Sequence, residues 1–187
     1  MRILMVNASP KKNGATEQVL QWMKEALEER YETESVCLGE QSIAFCRGCK
    51  QCYKTGRCVL PADGVEELLH RMERNDAILF AMPSYWGDVP AQFKALIDRC
   101  TPYADTNPLP GHPRPAAGKR VFVAALRAGG RTGECEHLLQ CVEHWSGHMG
   151  AEYDGGVMLT RVDGKEDLTL EQEVSVKSAV NAWISKK

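Results

Sequence analysis

After Met1 the chain reads Arg2-Ile3-Leu4-Met5-Val6-Asn7 and continues without a break into Ala8-Ser9-Pro10-Lys11-Lys12-Asn13-Gly14-Ala15-Thr16. The first of these runs is almost wholly apolar, which predicts a central parallel strand covered on both faces rather than an alternating surface strand. The second is rich in backbone N–H groups and hydroxyls and carries two lysines. It ends where Val19, Leu20, Met23 and Leu27 mark one apolar face of a helix. A helix N-terminus offers unpaired N–H donors and a partial positive charge, so the loop suits an anion, most simply a phosphate. It has neither the Gly-x-Gly-x-x-Gly of dinucleotide sites nor the Gly-Lys-Ser/Thr ending of nucleoside triphosphate sites. Hydroxyls, amides and a lysine pair fit a terminal phosphomonoester better than a bridged pyrophosphate. The plainer alternative is an ordinary strand-to-helix turn capped by Thr16 or Asn13.

Outward from this unit the strand–helix pattern repeats. The first helix runs down into Glu28-Glu29-Arg30, and residues 33–38 predict a second strand near a sheet edge. Asp63 caps an expected helix to Arg74 with Val65, Leu68, Leu69 and Met72 inward. Residues 76–82, 120–126 and 153–159 predict the third, fourth and fifth strands. Asp88 is the expected cap of the next helix, with Pro90 in its first turn and Val89, Phe93, Leu96, Ile97 and Cys100 buried. A Pro-rich loop covers residues 102–118. Two more helices are expected, Thr132 to Met149 and Leu170 to Ile184, the last burying Val174, Val180, Trp183 and Ile184. Five strands alternating with helices predict an α/β doubly wound parallel sheet, one domain over residues 1–187 with an insertion at 40–62. In such a sheet the loops after strands one, three and four meet at the switch point. The first offers phosphate donors, Pro83-Ser84-Tyr85-Trp86-Gly87 offers an aromatic pair, and Arg127 to Gly130, including Gly129, is able to line the same crevice. A flat ring system with one phosphate satisfies all three, and FMN is the natural candidate.

Composition bounds the remainder. With 187 residues and 43% hydrophobic residues the chain can bury a sizeable core, and a net charge of -2 gives no general attraction to nucleic acid or anionic membrane. No apolar run approaches the roughly 20 residues that cross a bilayer. The N-terminus lacks the basic and apolar regions of a secretory signal. A cytoplasmic protein is expected, whose eight cysteines are thiols or metal ligands rather than disulfides.

Four of those cysteines stand as Cys46-x-x-Cys49-x-x-Cys52 followed by Cys58. Three cysteines at intervals of three can turn around one iron–sulfur cubane, as in bacterial ferredoxins, where the fourth ligand comes from a second set. There is no second set here, so Cys58 would have to close the same cluster. Gly48 and Gly56 permit tight turns, and Arg47, Lys50, Lys54 and Arg57 would offset thiolate charge. A four-cysteine zinc site, a Cys49–Cys52 redox disulfide, and a motif kept without a cluster stay open. Cys37, Cys100, Cys135 and Cys141 are expected to be small buried hydrophobes. The histidines, among them His137, His144 and His148 on one helix, show no ligand spacing or acidic partner pattern.

Taken together, these motifs resemble the flavodoxin-like NAD(P)H-dependent FMN reductase family, and in particular its iron-sulfur flavoprotein branch. That family's phosphate loop reads Gly-Ser-Pro-Arg-x-x-Gly-Asn-Thr; Ser9, Pro10, Gly14 and Thr16 match it, while Lys11 replaces the arginine and Ala15 the asparagine. Its second motif is matched by Pro83, Tyr85, Trp86, Gly87, Pro90, Ala91, Lys94, Asp98 and Arg99, with Met82 where relatives often have a hydroxyl. The resemblance implies strand order 2-1-3-4-5. It also implies an FMN phosphate held by Ser9, Lys11, Asn13, Gly14, Ala15 and Thr16, and an isoalloxazine carried by Pro83, Ser84, Tyr85, Trp86 and Gly87. It further implies a 4Fe-4S cluster on Cys46, Cys49, Cys52 and Cys58, NAD(P)H or a reduced carrier protein as donor, a small-molecule acceptor, and a homodimer or homotetramer. No side chain is expected to act as a general acid or base, since the flavin does the chemistry. A cluster-free FMN or quinone reductase and a non-enzymatic electron carrier are the alternatives. A response-regulator receiver needs an acidic pocket where Asn7 stands.

Overall fold

The opening apolar run forms β1 (Arg2–Asn7), and the helix after the loop is α1 (Ala15–Leu27). The computed structural model describes residues 1–27, 30–109 and 113–186. Glu28 and Glu29, where the first helix was expected to run down, and residues 110–112 of the Pro-rich loop lie outside it. The remaining strands are β2 (Glu32–Cys37), β3 (Ala77–Pro83), β4 (Arg120–Leu126) and β5 (Glu152–Leu159). The remaining helices are α2 (Cys52–Thr55), α3 (Gly64–Arg74), α4 (Ala91–Arg99), α5 (Gly133–Met149) and α6 (Leu170–Ser185).

All strand pairs are parallel, in the expected order β2-β1-β3-β4-β5. Strands in such a sheet are covered on both faces, which is why β1, β3 and β4 are apolar at nearly every position. One face carries Leu4, Val6, Ile78, Phe80, Val121 and Val123 against α3, α4 and α5. The other carries Ile3, Met5, Leu79, Ala81, Phe122 and Ala124 against α1 and α6. Phe80 meets the rings of Phe93 and Trp145 edge-on at 5.1 and 5.6 Å, fixing α4 and α5 on one face.

Three local expectations change. Pro90, not Asp88, is the residue before α4, and the Asp88 carboxylate accepts instead from Val89 N at 2.7 Å. Proline has no side-chain oxygen to accept from the free N–H groups of the first turn, so the helix starts without a side-chain cap. On α6, Val174 is exposed and Val176 is buried with Val180 and Trp183, because the buried stripe follows positions 176, 180 and 183. Between β4 and β5 the register slips from Val121–Tyr153 to Val123–Gly156, a bulge that a smooth strand reading does not contain. The edge strand β2 is polar where β1 is apolar: Glu34 is bound by Arg71 at 3.0 Å, Arg74 at 2.6 Å and Asn75 Nδ2 at 3.0 Å. No described helix is long and apolar enough to cross a membrane.

Candidate functional site

At the C-terminal end of β1 the buried Asn7 organises the following loop. Its Oδ1 accepts from Ser9 N at 2.9 Å and its Nδ2 donates to Glu17 Oε2 at 2.6 Å. Ser9 Oγ in turn accepts from Lys11 N at 3.1 Å. Helix α1 opens with Gln18 N donating to Gly14 O at 3.2 Å, so the N–H groups of Ala15, Thr16 and Glu17 have no intrahelical acceptor. Ser9 and Thr16 are buried beside them. The lysine pair divides. Lys11 stays at the crevice, whereas Lys12 forms an ion pair with Glu40, which raises its pKa. Asn13, at φ 56°, lines a neighbouring groove with Asn7, Lys12, Glu17 and Cys37 rather than the crevice itself. A residue unremarked by motif reading holds this loop from below: a Cβ on Gly39 would stand 2.5 Å from Pro10 O.

The loop after β3 is a tight turn. Tyr85 N donates to Asp88 O at 3.0 Å and Asp88 N to Tyr85 O at 3.1 Å, with Trp86 at φ 54° and Gly87 at φ 78°. Positive φ at both central residues is the type I′ arrangement, natural for Gly87 and unusual for a tryptophan. The Trp86 side chain is fully exposed and Tyr85 is partly so. Ser84 ties the turn to the third loop: its Oγ donates to Glu134 Oε2 at 2.6 Å, and Glu134 Oε1 pairs with Arg127 Nη2 at 3.0 Å. Arg127 Nη1 donates to Arg131 O at 2.9 Å. A Cβ on Gly129 would run into this guanidinium.

The three loops converge. Ser9, Lys11, Gly14, Ala15, Thr16, Pro83, Ser84 and Tyr85 share a cavity of about 150 Å³ with Leu126, Arg127 and Ala128. Val162, Asp163 and Gly164, after β5, close its far side. Sequence reading missed that fourth loop, although Asp163-Gly164 is a turn signal at a strand end. Asn13, Trp86, Gly87 and Gly129 are not in the lining of this cavity.

The cysteine motif forms a second concavity. Cys46, Cys49, Cys52 and Cys58 all line one cavity of about 190 Å³ with Arg47, Lys50, Tyr53, Asp98 and Arg99 at the end of α4, and Thr101 and Pro102 just after it. All four are free thiols, and Gly48 N donates to Cys46 Sγ at 3.4 Å. Burial raises the Cys52 thiol above its ordinary value, and the nearby Cys58, Cys46 and Cys49 raise it further. Of the basic residues expected around the motif, Arg47 and Lys50 line the cavity and Lys54 and Arg57 do not. The cation that motif reading did not assign to this site is Arg99. It is buried, with Nη1 donating to Asp63 Oδ2 at 2.6 Å and to Ala44 O at 3.0 Å, and Nη2 3.4 Å from Glu66 Oε1. Burial alone would lower the Arg99 pKa. The bond to Asp63 and the charges of Cys58, Asp63 and Glu66 outweigh that and raise it. Asp63 also caps α3 through Val65 N at 3.0 Å and accepts from Ala44 N at 2.9 Å. One buried ion pair thus fixes the segment entering Cys46 to both α3 and α4.

The other cysteines divide. Cys100 and Cys135 are buried, and burial pushes their thiols up to about 12 and about 11. Cys37 and Cys141 are only half-buried, contrary to expectation. The histidines on α5 do have acidic partners, supplied by other parts of the chain. His148 Nδ1 lies 2.6 Å from Asp105 Oδ1, and His137 Nε2 lies 3.4 Å from Asp88 Oδ1.

Comparison with known proteins agrees with this geometry. Residues 1–160 match the family described as NADPH-dependent FMN reductase. An iron-sulfur flavoprotein of Methanosarcina thermophila is 33% identical over 147 residues, which are 78% of this chain and 72% of that protein. One from Methanocaldococcus jannaschii is 34% identical over 132 residues, 70% of this chain and 66% of that protein. Among solved structures, the NAD(P)H:quinone oxidoreductase from Methanothermobacter marburgensis superposes with a TM-score of 0.72 at 18% identity, covering 100% of this chain and 98% of that one. The chain belongs to the NADPH-dependent FMN reductase family of flavin-dependent oxidoreductases.

Proposed function

We propose that this chain is an iron-sulfur flavoprotein-type oxidoreductase that binds FMN and a 4Fe-4S cluster within one flavodoxin-like domain. In this reading it passes electrons between NAD(P)H or a reduced carrier protein and a small-molecule acceptor. The observation that carries the proposal is the gathering of four free thiols around one cavity in a chain whose β1, β3 and β4 loops share another. The cavity at the switch point, about 150 Å³, is smaller than the roughly 300 Å³ at which ligand pockets begin. It suits the phosphate and the adjoining part of the sugar-alcohol chain, with the ring lying outward along Pro83–Tyr85. Ser9, Thr16, Lys11 and the free N–H groups that open α1 would receive the phosphate. Lys11 supplies a point charge where the family's arginine supplies a fork. The Ser84–Glu134–Arg127 chain of contacts would hold the turn against α5 and keep the ring's edge in register.

The motif thiols suit a multi-atom cluster better than one ion. Four thiolates at about 2.3 Å from a zinc stand about 3.8 Å apart. Among the described residues no three of the motif thiols lie within 4.8 Å of one another. When bound, the cluster would supply single-electron transfer and the flavin hydride or single-electron exchange. The Gly48 N–H at Cys46 and the nearby Arg47, Lys50 and Arg99 would stabilise the thiolates.

Anaerobic purification followed by iron, sulfide and flavin analysis tests this. The expected result is one FMN with about four iron and four sulfide per chain, and turnover of NAD(P)H with ferricyanide or a quinone. Iron-free yellow protein with full turnover would replace the proposal with a cluster-free reductase. Flavin with a cluster but no turnover in the absence of a partner would mark an electron carrier.

A further inference from the structure

Away from both cavities, His137 and Cys141 stand one turn apart on α5, and Asp88 reaches them from the end of the Tyr85–Asp88 turn. His137 Nε2 lies 3.5 Å from Cys141 Sγ and 3.4 Å from Asp88 Oδ1, and all three donor atoms fall within 4.8 Å of one another. These separations have a chemical meaning. A tetrahedral zinc-class ion with bonds of about 2.3 Å to sulfur, 2.05 Å to nitrogen and 2.0 Å to oxygen requires N···S and N···O edges of about 3.6 and 3.3 Å. The two observed edges match, and the third, from the Cys141 sulfur to the Asp88 carboxylate oxygen, lies within 4.8 Å.

A relay of acid, histidine and nucleophilic thiol fits less well. In such a relay the carboxylate takes one ring nitrogen and the nucleophile the other, whereas here both converge on Nε2. Convergence of sulfur, imidazole nitrogen and carboxylate oxygen on one point is the donor set of a borderline divalent cation.

We propose that Asp88, His137 and Cys141 form a mononuclear site for a zinc-class divalent cation, with a fourth vertex open to solvent. The ion would bridge the turn after β3 to α5 at the end opposite the Ser84–Glu134 bond, so the turn would be fastened to the helix at both ends. The site is separate from the flavin and cysteine-motif sites, and it stands whether or not either is occupied as proposed.

The test is a Co²⁺ titration of the full chain carrying Cys46→Ser and Cys49→Ser, both exposed, so that the motif does not compete. The expected result is about one cobalt per chain, with the intense visible absorption of tetrahedral cobalt and a thiolate charge-transfer band. In that background His137→Ala should weaken binding by about 100-fold or more, since loss of a ligand exceeds the 10- to 100-fold cost of an outer-shell change. Asp88→Asn should weaken it by at least about 10-fold, and Cys141→Ser should remove the charge-transfer band. His144→Ala should leave binding unchanged, although His144 Nε2 lies 3.2 Å from His148 Nε2 and offers a rival pair. Absence of tetrahedral cobalt at micromolar concentration would overturn the proposal. So would a charge-transfer band that survives Cys141→Ser, or loss of binding on His144→Ala.

Discussion

Replacing Arg99 by methionine keeps the stem of a side chain that is 2% exposed and removes its charge. Breaking a buried ion pair from one side costs about 3–5 kcal/mol, because the remaining charge is left without its partner. Here Asp63 would keep two backbone donors, Ala44 N at 2.9 Å and Val65 N at 3.0 Å, which places the loss near the lower end, about 3 kcal/mol. For a chain of this size each kcal/mol moves the midpoint by about 2–4 °C, so Tm should fall by about 6–12 °C. Arg99→Lys should recover less than half of this, since one ammonium does not reproduce a fork whose Nη1 holds Asp63 and the Ala44 carbonyl while Nη2 faces Glu66. Thermal and urea unfolding followed by circular dichroism measure the effect, and a double-mutant cycle with Asp63→Asn should return a coupling of about 2 kcal/mol. An Arg99→Met midpoint within about 2 °C of the parent, or strictly additive single changes, would refute the reasoning.

Three further outcomes are expected. Gly39→Ala sets a methyl against Pro10 O and should displace the phosphate loop, weakening FMN binding by about 10-fold or more while lowering Tm; flavin fluorescence titration reads the first and calorimetry the second. Burial would raise the Asp63 pKa, but Ala44 N, Arg99 and Val65 N together lower it below 3.8, so its stabilisation is complete above that value and is lost as pH falls through the lower, folded-state value. The urea midpoint should therefore drop below about pH 4, and less steeply in Asp63→Asn. Trp86→Asn should raise Tm by about 1–4 °C, because asparagine accepts φ 54° with less strain and the exposed indole contributes no packing.

Much of this architecture was written in periodicity. The apolar runs of β1, β3 and β4 and the stripes of α1 and α3 needed no tertiary information, because burial on both faces of a parallel strand and on one face of a helix leaves a direct compositional trace. The cysteine spacing likewise identified four side chains that do share a cavity. What stayed hidden depends on partners distant in sequence. Arg99 was matched as part of a motif, yet its role comes from Asp63 and Ala44, 36 and 55 residues away. Lys11 and Lys12 look equivalent until Glu40 takes one of them. Asp88 was expected to cap a helix and instead meets His137 on another one. The β4–β5 bulge was invisible because Gly155-Gly156 reads equally as a weakened strand.

The polar rim at β2 bears on how copies of this protein can meet. A parallel sheet ends there with unpaired backbone groups, the usual template for fibre growth. Any incoming strand would have to strip water from Glu32 and compete with the two arginines and the amide that already hold Glu34. Polymerisation along that border is thereby discouraged, so assemblies of this protein should leave β2 as the last strand on its side of the sheet.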